Sequence, residues 1–174
     1  MQFITADDFD IVKNRYIDVI ENTPELERHS RWVYGKHPND EELRSFIDHK
    51  ELYLLMDDDS IAGMVVITMY QDKSYEKISW GEDLADDEVA TLHLLAVCPE
   101  YQGRGLGRRI LEEAAKAAKK SGKKAIRLDT MISNLPAQRM YKGAGYSYRG
   151  KQKLFTGNAG WTDFLYFEKL LDVV

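Results

Sequence analysis

Three groups of residues in this chain have types and spacing suited to chemistry. His93 is the only titratable side chain in the apolar run Leu92–Val97, and an imidazole with a pKa of about 6.5 exchanges protons near neutrality. Gln102-Gly103-Arg104-Gly105-Leu106-Gly107 follows, with three glycines in five residues. Glycine brings no Cβ between backbone and ligand. A helix that starts here offers unpaired N–H groups and a partial charge of roughly +0.5, which suits a phosphate. Arg104, Arg108 and Arg109 add full positive charge at the same end. Further on, Asn134, Ala137 or Gln138, and Tyr141 are spaced i, i+3/i+4, i+7 and share one helix face. Read from the residues alone, the central stretch is a pyrophosphate cradle behind a core strand.

Glycine-rich loops are common, and the spacing says which kind this is. A P-loop ends Gly-Lys-Ser/Thr, whereas Gly107 precedes Arg108-Arg109. A dinucleotide fingerprint needs a third glycine where Arg108 stands. The pattern is instead Q-x-x-G-x-G behind a strand ending L-A-V-x-P-x-Y. Read alone, it is also compatible with a plain glycine-rich turn entering a helix.

The elements that must position these groups follow from periodicity and punctuation. Leu92–Val97 has the length of a buried strand, stopped by Cys98-Pro99. After the loop, Leu106, Ile110, Leu111, Ala114, Ala115 and Ala118 form one apolar helix face, and Gly122 suits its end. Ala125–Thr130 reads as a strand, Asn134 as the N-cap of a helix stopped by Gly145, and Tyr146–Lys151 as a strand. Lys153–Trp161 reads as a long turn and Asp163–Leu170 as the last strand.

Earlier in the chain, Gln2–Ile4 is a short strand. Thr5 with Asp8 reads as a capping box opening a helix from about Ala6 to Glu21. Pro24–Pro38 is looser and carries Trp32, Tyr34 and His37. Asn39 with Glu42 makes a second capping box, before Leu43, Phe46 and Ile47. Glu51–Met56 and Ile61–Tyr70 form a hairpin about Asp57-Asp58-Asp59. Between Gln71 and Glu88, Tyr75 and Trp80 suggest a short strand. Glu82, Asp83, Asp86, Asp87 and Glu88 suggest a solvated loop, or an electrostatic lure for an amine. The expected fold is α/β, a mixed sheet with helices on both faces and an antiparallel pair at the C-terminal end.

With both motifs in hand, the chain resembles the GNAT-type N-acetyltransferase superfamily. The loop matches its acetyl-CoA loop. The N-x-x-A-x-x-x-Y-x-x-x-G-F/Y pattern of its fourth helix is met by Asn134, Ala137, Tyr141, Gly145 and Tyr146. The resemblance covers most of the chain from about Leu52 onward and implies one GNAT-like domain over 1–174 with a mostly antiparallel twisted sheet. It implies acetyl-CoA as cosubstrate and direct attack by an amine in a ternary complex. By the same resemblance Leu95, Ala96 and Val97 present the strand to the cofactor, with Leu95 offering the backbone donor for the oxyanion and Leu95 and Val97 lining the pantetheine arm. The amides from Gln102 through Gly103, Arg104, Gly105, Leu106 and Gly107 to Arg108 hold the pyrophosphate. Asn134 and Ala137 contact the cofactor, and Tyr141 is the general acid at the sulfur. On spacing alone Tyr141 reads as an amphipathic core tyrosine; the motif match is what favours the acid.

The base is open. His93 resembles a histidine on this strand in arylalkylamine N-acetyltransferases, where L-H-A-L-A-V corresponds to Leu92–Val97 here. It could also be a satisfied core residue, with Glu88, Asp129 or a water chain as alternatives. Thr91 stands where many histone-acetylating relatives carry a glutamate, and cannot act as that base. Trp32, Tyr34 and His37 fall where the superfamily builds one wall of the acceptor pocket. Asp129 could bind a substrate ammonium or cap a loop. Cys98, followed by Pro99 at a strand end, reads as packing rather than a nucleophile.

Composition sets the remaining bounds. The chain is 44% hydrophobic and 30% charged, with a net charge of −5, which argues mildly against a nucleic-acid partner. Its single cysteine excludes an internal disulfide and fits a reducing compartment. The N-terminus lacks a basic region followed by an apolar core, and no apolar run approaches the ~20 residues of a membrane span. A cytoplasmic protein without a membrane partner is expected. No cluster has metal-ligand spacing, so no metal is expected. The expected partner is a small-molecule amine or an exposed peptide amino group, with a homodimer as the assembly common among such folds. Two other functions share the cofactor loop: a non-catalytic acyl-CoA-binding sensor, and a protein N-terminal acetylase, which would want an open groove. A sensor has no need of an acid at Tyr141.

Overall fold

A computed structural model describes residues 1–172 of the chain. Strand β1 (Gln2–Thr5) pairs antiparallel with β2 (Leu52–Asp57), and β2 with β3 (Ser60–Thr68) through the expected aspartate turn. Between β1 and β2 run α1 (Phe9–Asn22), the short α2 (Leu26–His29) and α3 (Asp40–Asp48). Strand β4 (Val89–Val97) lies beside β3, followed by α4 (Leu106–Lys120), β5 (Ala125–Met131), α5 (Leu135–Gly143), β6 (Ser147–Thr156) and β7 (Gly160–Leu170). The seven-stranded sheet has the order β1-β2-β3-β4-β5-β7-β6, and only β4 and β5 pair parallel. Helices cover both faces. α1 and α3 pack with Leu52, Leu54, Met64, Val66, Leu94 and Ala96; α4 and α5 pack with Leu55, Ile67, Ala90, Leu92, Ile126 and Leu128. No helix among the described residues is long and apolar enough to cross a membrane.

The sequence reading needs four local corrections. Asp8, not Thr5, caps α1: its side chain accepts from the Ile11 amide at 3.0 Å, while Thr5 stays paired with Tyr53 in the sheet. Tyr75 lies in a 3-10 turn, Lys73–Lys77, opened by Asp72 accepting from the Ser74 amide at 2.8 Å. Lys153–Thr156 belongs to β6 and Gly160–Trp161 to β7, so the long turn shrinks to Gly157-Asn158-Ala159. Exposed Phe155 and Trp161 pair across that hairpin with ring centroids 5.8 Å apart, which favours extended strands over a loop. Part of the looser stretch after Pro24 is helical. The Asn39–Glu42 capping box forms as read.

Two irregularities in β4 decide what the sheet can do. Met64 pairs with Ala96 and Val66 with His93, so Val65 alone stands opposite Leu94 and Leu95. This is a β-bulge, with Leu94 at φ +50°. Tyr16, fully buried on α1, donates its hydroxyl to the Leu94 carbonyl at 2.8 Å. The bulge reverses the alternation. Ala90 and Leu92 face α4, but Leu94 and Ala96 turn toward α1 and α3, and Leu95 and Val97 face α4. Secondly, β4 and β5 pair only from Val89–Ala125 to Leu92–Leu128. Beyond that point β5 continues with β7 alone, and the sheet opens at its centre.

Candidate active site

A cavity of about 470 Å³ occupies this opening and touches both faces of the sheet. His93 and Asp129 are each one residue past the last β4–β5 pair and both line it. In a parallel pair, residues at equivalent positions point the same way, which here is the α1 side. From the other side α5 contributes Asn134, Ala137, Met140 and Tyr141. Leu94 and Leu95 line the cavity at the bulge. Trp32 and His37, with Ser30, Lys36 and Glu42, form a wall on the α1 side; Thr156, Asn158 and Phe164 of the β6–β7 hairpin form another.

The electrostatics are dominated by burial. Burial pulls the His93 imidazole below its ordinary value, against the opposing pull of Asp129, so it is neutral at pH 7. Burial, with the Asp129 charge adding to it, pushes the Tyr141 phenol up and keeps it protonated. Asp129 accepts the Tyr75 hydroxyl at 2.5 Å; it lies within β5, paired with Tyr166 of β7, and caps no loop. His37 Nδ1 and Glu42 Oε1 are 3.2 Å apart. Burial works to raise Glu42, but His37 and the Asn39 amide together hold its carboxyl below the ordinary range.

The wall on the α1 side is tied across the cavity. Asn158 Nδ2 donates to the Arg31 carbonyl at 2.9 Å, Arg31 to the Ala159 carbonyl at 3.3 Å, and Ser133 Oγ to the His29 carbonyl at 2.8 Å. Thr156 carries a buried hydroxyl with no partner among the described residues.

The glycine loop stands at the start of α4. Gly103 and Gly105 have φ +76° and +75°, conformations other residues rarely take, and a Cβ on either would meet nothing within 4 Å. Because α4 begins at Leu106, the amides of Leu106, Gly107 and Arg108 have no helical acceptor. Gly107 has a different reason: a Cβ there would come 2.4 Å from Met140 Sδ, so it allows α4 and α5 to approach. Gln102 is a structural anchor. Its Nε2 donates to Thr23 Oγ1 at 2.8 Å and the Val97 carbonyl at 3.1 Å, and its own amide donates to the Pro99 carbonyl at 3.3 Å. The amides available to an anion therefore begin at Gly103.

Residues 19–146 match the sequence profile of the Acetyltransferase (GNAT) family. The chain belongs to that family. This acetyltransferase is 25% identical over 155 residues to the uncharacterised N-acetyltransferase YesJ of Bacillus subtilis, covering 83% of this chain and 85% of that protein. It is 38% identical over 60 residues to the [ribosomal protein bS18]-alanine N-acetyltransferase of Escherichia coli K12, a match that spans 34% of this chain and 40% of that enzyme. Its fold resembles a GNAT-family acetyltransferase from Streptococcus agalactiae, with TM-score 0.74, 19% identity, and 97% and 94% of the two chains covered. It also resembles the Salmonella typhimurium yncA protein, solved with its cofactor acetyl-CoA, with TM-score 0.70, 15% identity, and 99% and 94% covered.

Of the residues singled out in this acetyltransferase, the cavity gathers His93, Leu95, Asp129, Asn134, Ala137, Tyr141, Trp32 and His37. Tyr34 is not among its lining residues: its hydroxyl donates to Asp40 Oδ1 at 2.7 Å and Lys13 lies over its ring. Ala96 turns its side chain into the α1–α3 core, leaving only backbone for a ligand. The acidic residues 82–88 do not line the cavity. Glu82, Asp83 and Asp86 surround a separate polar hollow beside Trp80 and Arg127. Sequence reasoning missed Glu42, Thr156 and Phe164 as lining residues, and Tyr75 as the partner of Asp129, because each comes to its place through a tertiary contact. Cys98 is fully buried, and burial pushes its thiol up to about 11, as suits packing. Among the described residues no three His, Cys, Asp or Glu side chains stand together as a metal centre would need.

Proposed function

We propose that this enzyme transfers an acetyl group from acetyl-CoA to the primary amine of a small molecule, by direct attack within a ternary complex. The observation that carries the reading is one cavity passing through the β4–β5 opening, with Tyr141 on the α5 side and His93 and Asp129 on the α1 side. Donor and acceptor can meet there from opposite faces. When bound, acetyl-CoA supplies an activated thioester carbonyl.

The chain's residues fit that donor. Gly103 and Gly105 shape the loop, and the amides from Gly103 to Arg108 with the Arg104 and Arg108 guanidinium groups hold the pyrophosphate. The β4 edge at Leu95, Ala96 and Val97, which β5 has left unpaired, takes the pantetheine arm, with Leu95 supplying the backbone donor to the reacting carbonyl. The Asn134 side-chain oxygen caps Ala137 at 3.3 Å, which leaves its NH2 group as the donor to offer the cofactor. Ala137 leaves room beside it. Neutral His93 takes the proton from the acceptor amine, directly or through a water, and the protonated Tyr141 hydroxyl gives a proton to the departing sulfur.

The closed acceptor wall supports a small molecule over a protein chain. Trp32 and Phe164 offer apolar surface, and His37 and Asp129 polar anchors. The partial match to the bS18-alanine N-acetyltransferase favours, as a second reading, an acceptor that is a peptide N-terminus. Release of CoA thiol across polyamines, arylalkylamines, amino acids, aminoglycosides and short peptides separates the two. With the accepted class, Tyr141→Phe should lower kcat by about 10²–10⁴-fold with little change in the KM for acetyl-CoA. Unchanged turnover would remove Tyr141 as the acid, and acetyl-CoA binding with no acceptor turned over would favour a sensor.

A further inference from the structure

Tyr75 has no assigned role, yet its surroundings hold it tightly. The side chain is 2% exposed. Trp80 stacks on it at 5.7 Å between centroids and donates Nε1 to its carbonyl at 2.9 Å; Tyr166 meets it edge-on at 5.2 Å and His93 at 6.5 Å. A ring buried for apolar filling alone would be better served by phenylalanine, since a buried hydroxyl demands a partner. That partner is Oδ1 of Asp129.

Asp129 is in turn an unusual carboxylate. The other cavity-lining carboxylate, Glu42, is occupied by His37 and the Asn39 amide. Asp129 forms no ion pair among the described residues, and Tyr75 is its only hydrogen-bond donor there. The titratable groups facing it are Tyr75, His93 of β4, Tyr141 of α5 and Tyr166 of β7, with Asp72 and His37 beyond His93. Burial keeps the three phenols and the imidazole neutral. Lys36 and the Glu42–His37 pair line the wall on the α1 side, but the groups packed around Asp129 are neutral, and a negative charge so surrounded recruits a cation.

We propose that Tyr75 is a positioning residue that fixes the Asp129 carboxylate at the opening between β4 and β5 as the anchor for an acceptor arriving in its ammonium form. This rests on the cavity being the acceptor site, and it narrows the substrate to amines that are cationic at neutral pH. The ammonium docks on the free Asp129 oxygen beside His93, and the neutral imidazole then accepts one N–H proton. The amine lone pair is released at the point where α5 presents Tyr141.

The test uses the full chain with 13Cγ-labelled aspartate, Asp129 being assigned by its loss in Asp129→Asn. In Tyr75→Phe, which keeps the ring, the Asp129 carboxyl signal at pH 7 should move from its wild-type position, because its hydrogen-bond donor is gone. Methylammonium and the accepted amine should perturb the wild-type Asp129 signal and perturb it less in the variant. In turnover, the KM for the amine should rise about tenfold with the KM for acetyl-CoA unchanged. An Asp129 carboxyl signal at the same position in wild type and Tyr75→Phe would overturn the proposal, as would an amine KM unchanged in a variant that merely melts earlier. Failure of the acceptor-site reading shows separately, as an Asp129→Asn enzyme with the wild-type KM for the amine.

Discussion

The hydroxyl of Tyr16 can be removed without disturbing anything but the bulge. In Tyr16→Phe the ring stays in its α1 pocket, edge-on to Trp32 at 6.1 Å, while the buried Leu94 carbonyl loses its donor. Leaving a buried acceptor unpaired costs about 1–3 kcal/mol. That loss falls where the backbone is already strained, since a leucine in the left-handed region costs roughly 1–2 kcal/mol. At roughly 2–4 °C per kcal/mol for a domain of this size, a loss of about 2 kcal/mol lowers the thermal midpoint by about 4–8 °C. Activity should suffer more than stability, because relaxing the bulge by one residue turns Leu95 and Val97 away from the cofactor side. The assay pairs a thermal melt with CoA release at 25 °C on the same preparation. Tyr146→Phe serves as control: that hydroxyl is buried without a partner among the described residues, so its removal should leave the midpoint unchanged or slightly higher. A wild-type midpoint for Tyr16→Phe, or a lowered midpoint with undiminished turnover per folded molecule, would refute the assignment of the bulge to Tyr16.

Two further outcomes follow from charge. Because burial depresses His93, the fraction of free base should already be high at pH 6.5. The acid limb of kcat/KM should therefore lie below pH 6.5, with activity lost as pH falls through it, and His93→Gln should abolish that limb. Glu168, fully buried, accepts from Arg127 and Arg149 at 3.0 Å each. Glu168→Gln leaves the buried Arg127 guanidinium without its anion and should cost about 3–5 kcal/mol in urea unfolding, whereas Arg127→Met with Glu168→Leu should recover much of it.

The contrast between Gln102 and Tyr75 shows how far the sequence alone could be read. Order, type and approximate bounds of most elements were legible, because the period of the apolar residues and the caps at Asn39 and Asn134 are local signals. The glycine loop was legible for a similar reason, although Gly107 serves helix packing and Gln102 anchors the loop. What escaped depends on contacts between distant residues. Tyr75 precedes Asp129 by 54 positions, and nothing near either residue marks the pairing. Lys153–Trp161 looked like a turn because its glycines and Asn158 dominate the local signal, while the Phe155–Trp161 pairing is visible only across strands. The bulge left one trace, the doublet Leu94-Leu95, where alternation along β4 loses its parity.

The parallel β4–β5 seam also has a mechanical meaning. Only four residue pairs, from Val89–Ala125 to Leu92–Leu128, join strands β1–β4 to strands β5–β7 within the sheet. The molecule is thus built like a book with a short spine, and its pages part just where His93 leaves one leaf and Asp129 the other. α4 and α5 span the spine on one side, with Ile110 and Tyr141 packed into a core shared by both leaves. His93 and Asp129, the proposed base and anchor, therefore sit on two leaves whose separation is set at the spine. A change to the packing beneath Leu92 or Leu128 would retune the distances among His93, Asp129 and Tyr141 without altering any of them.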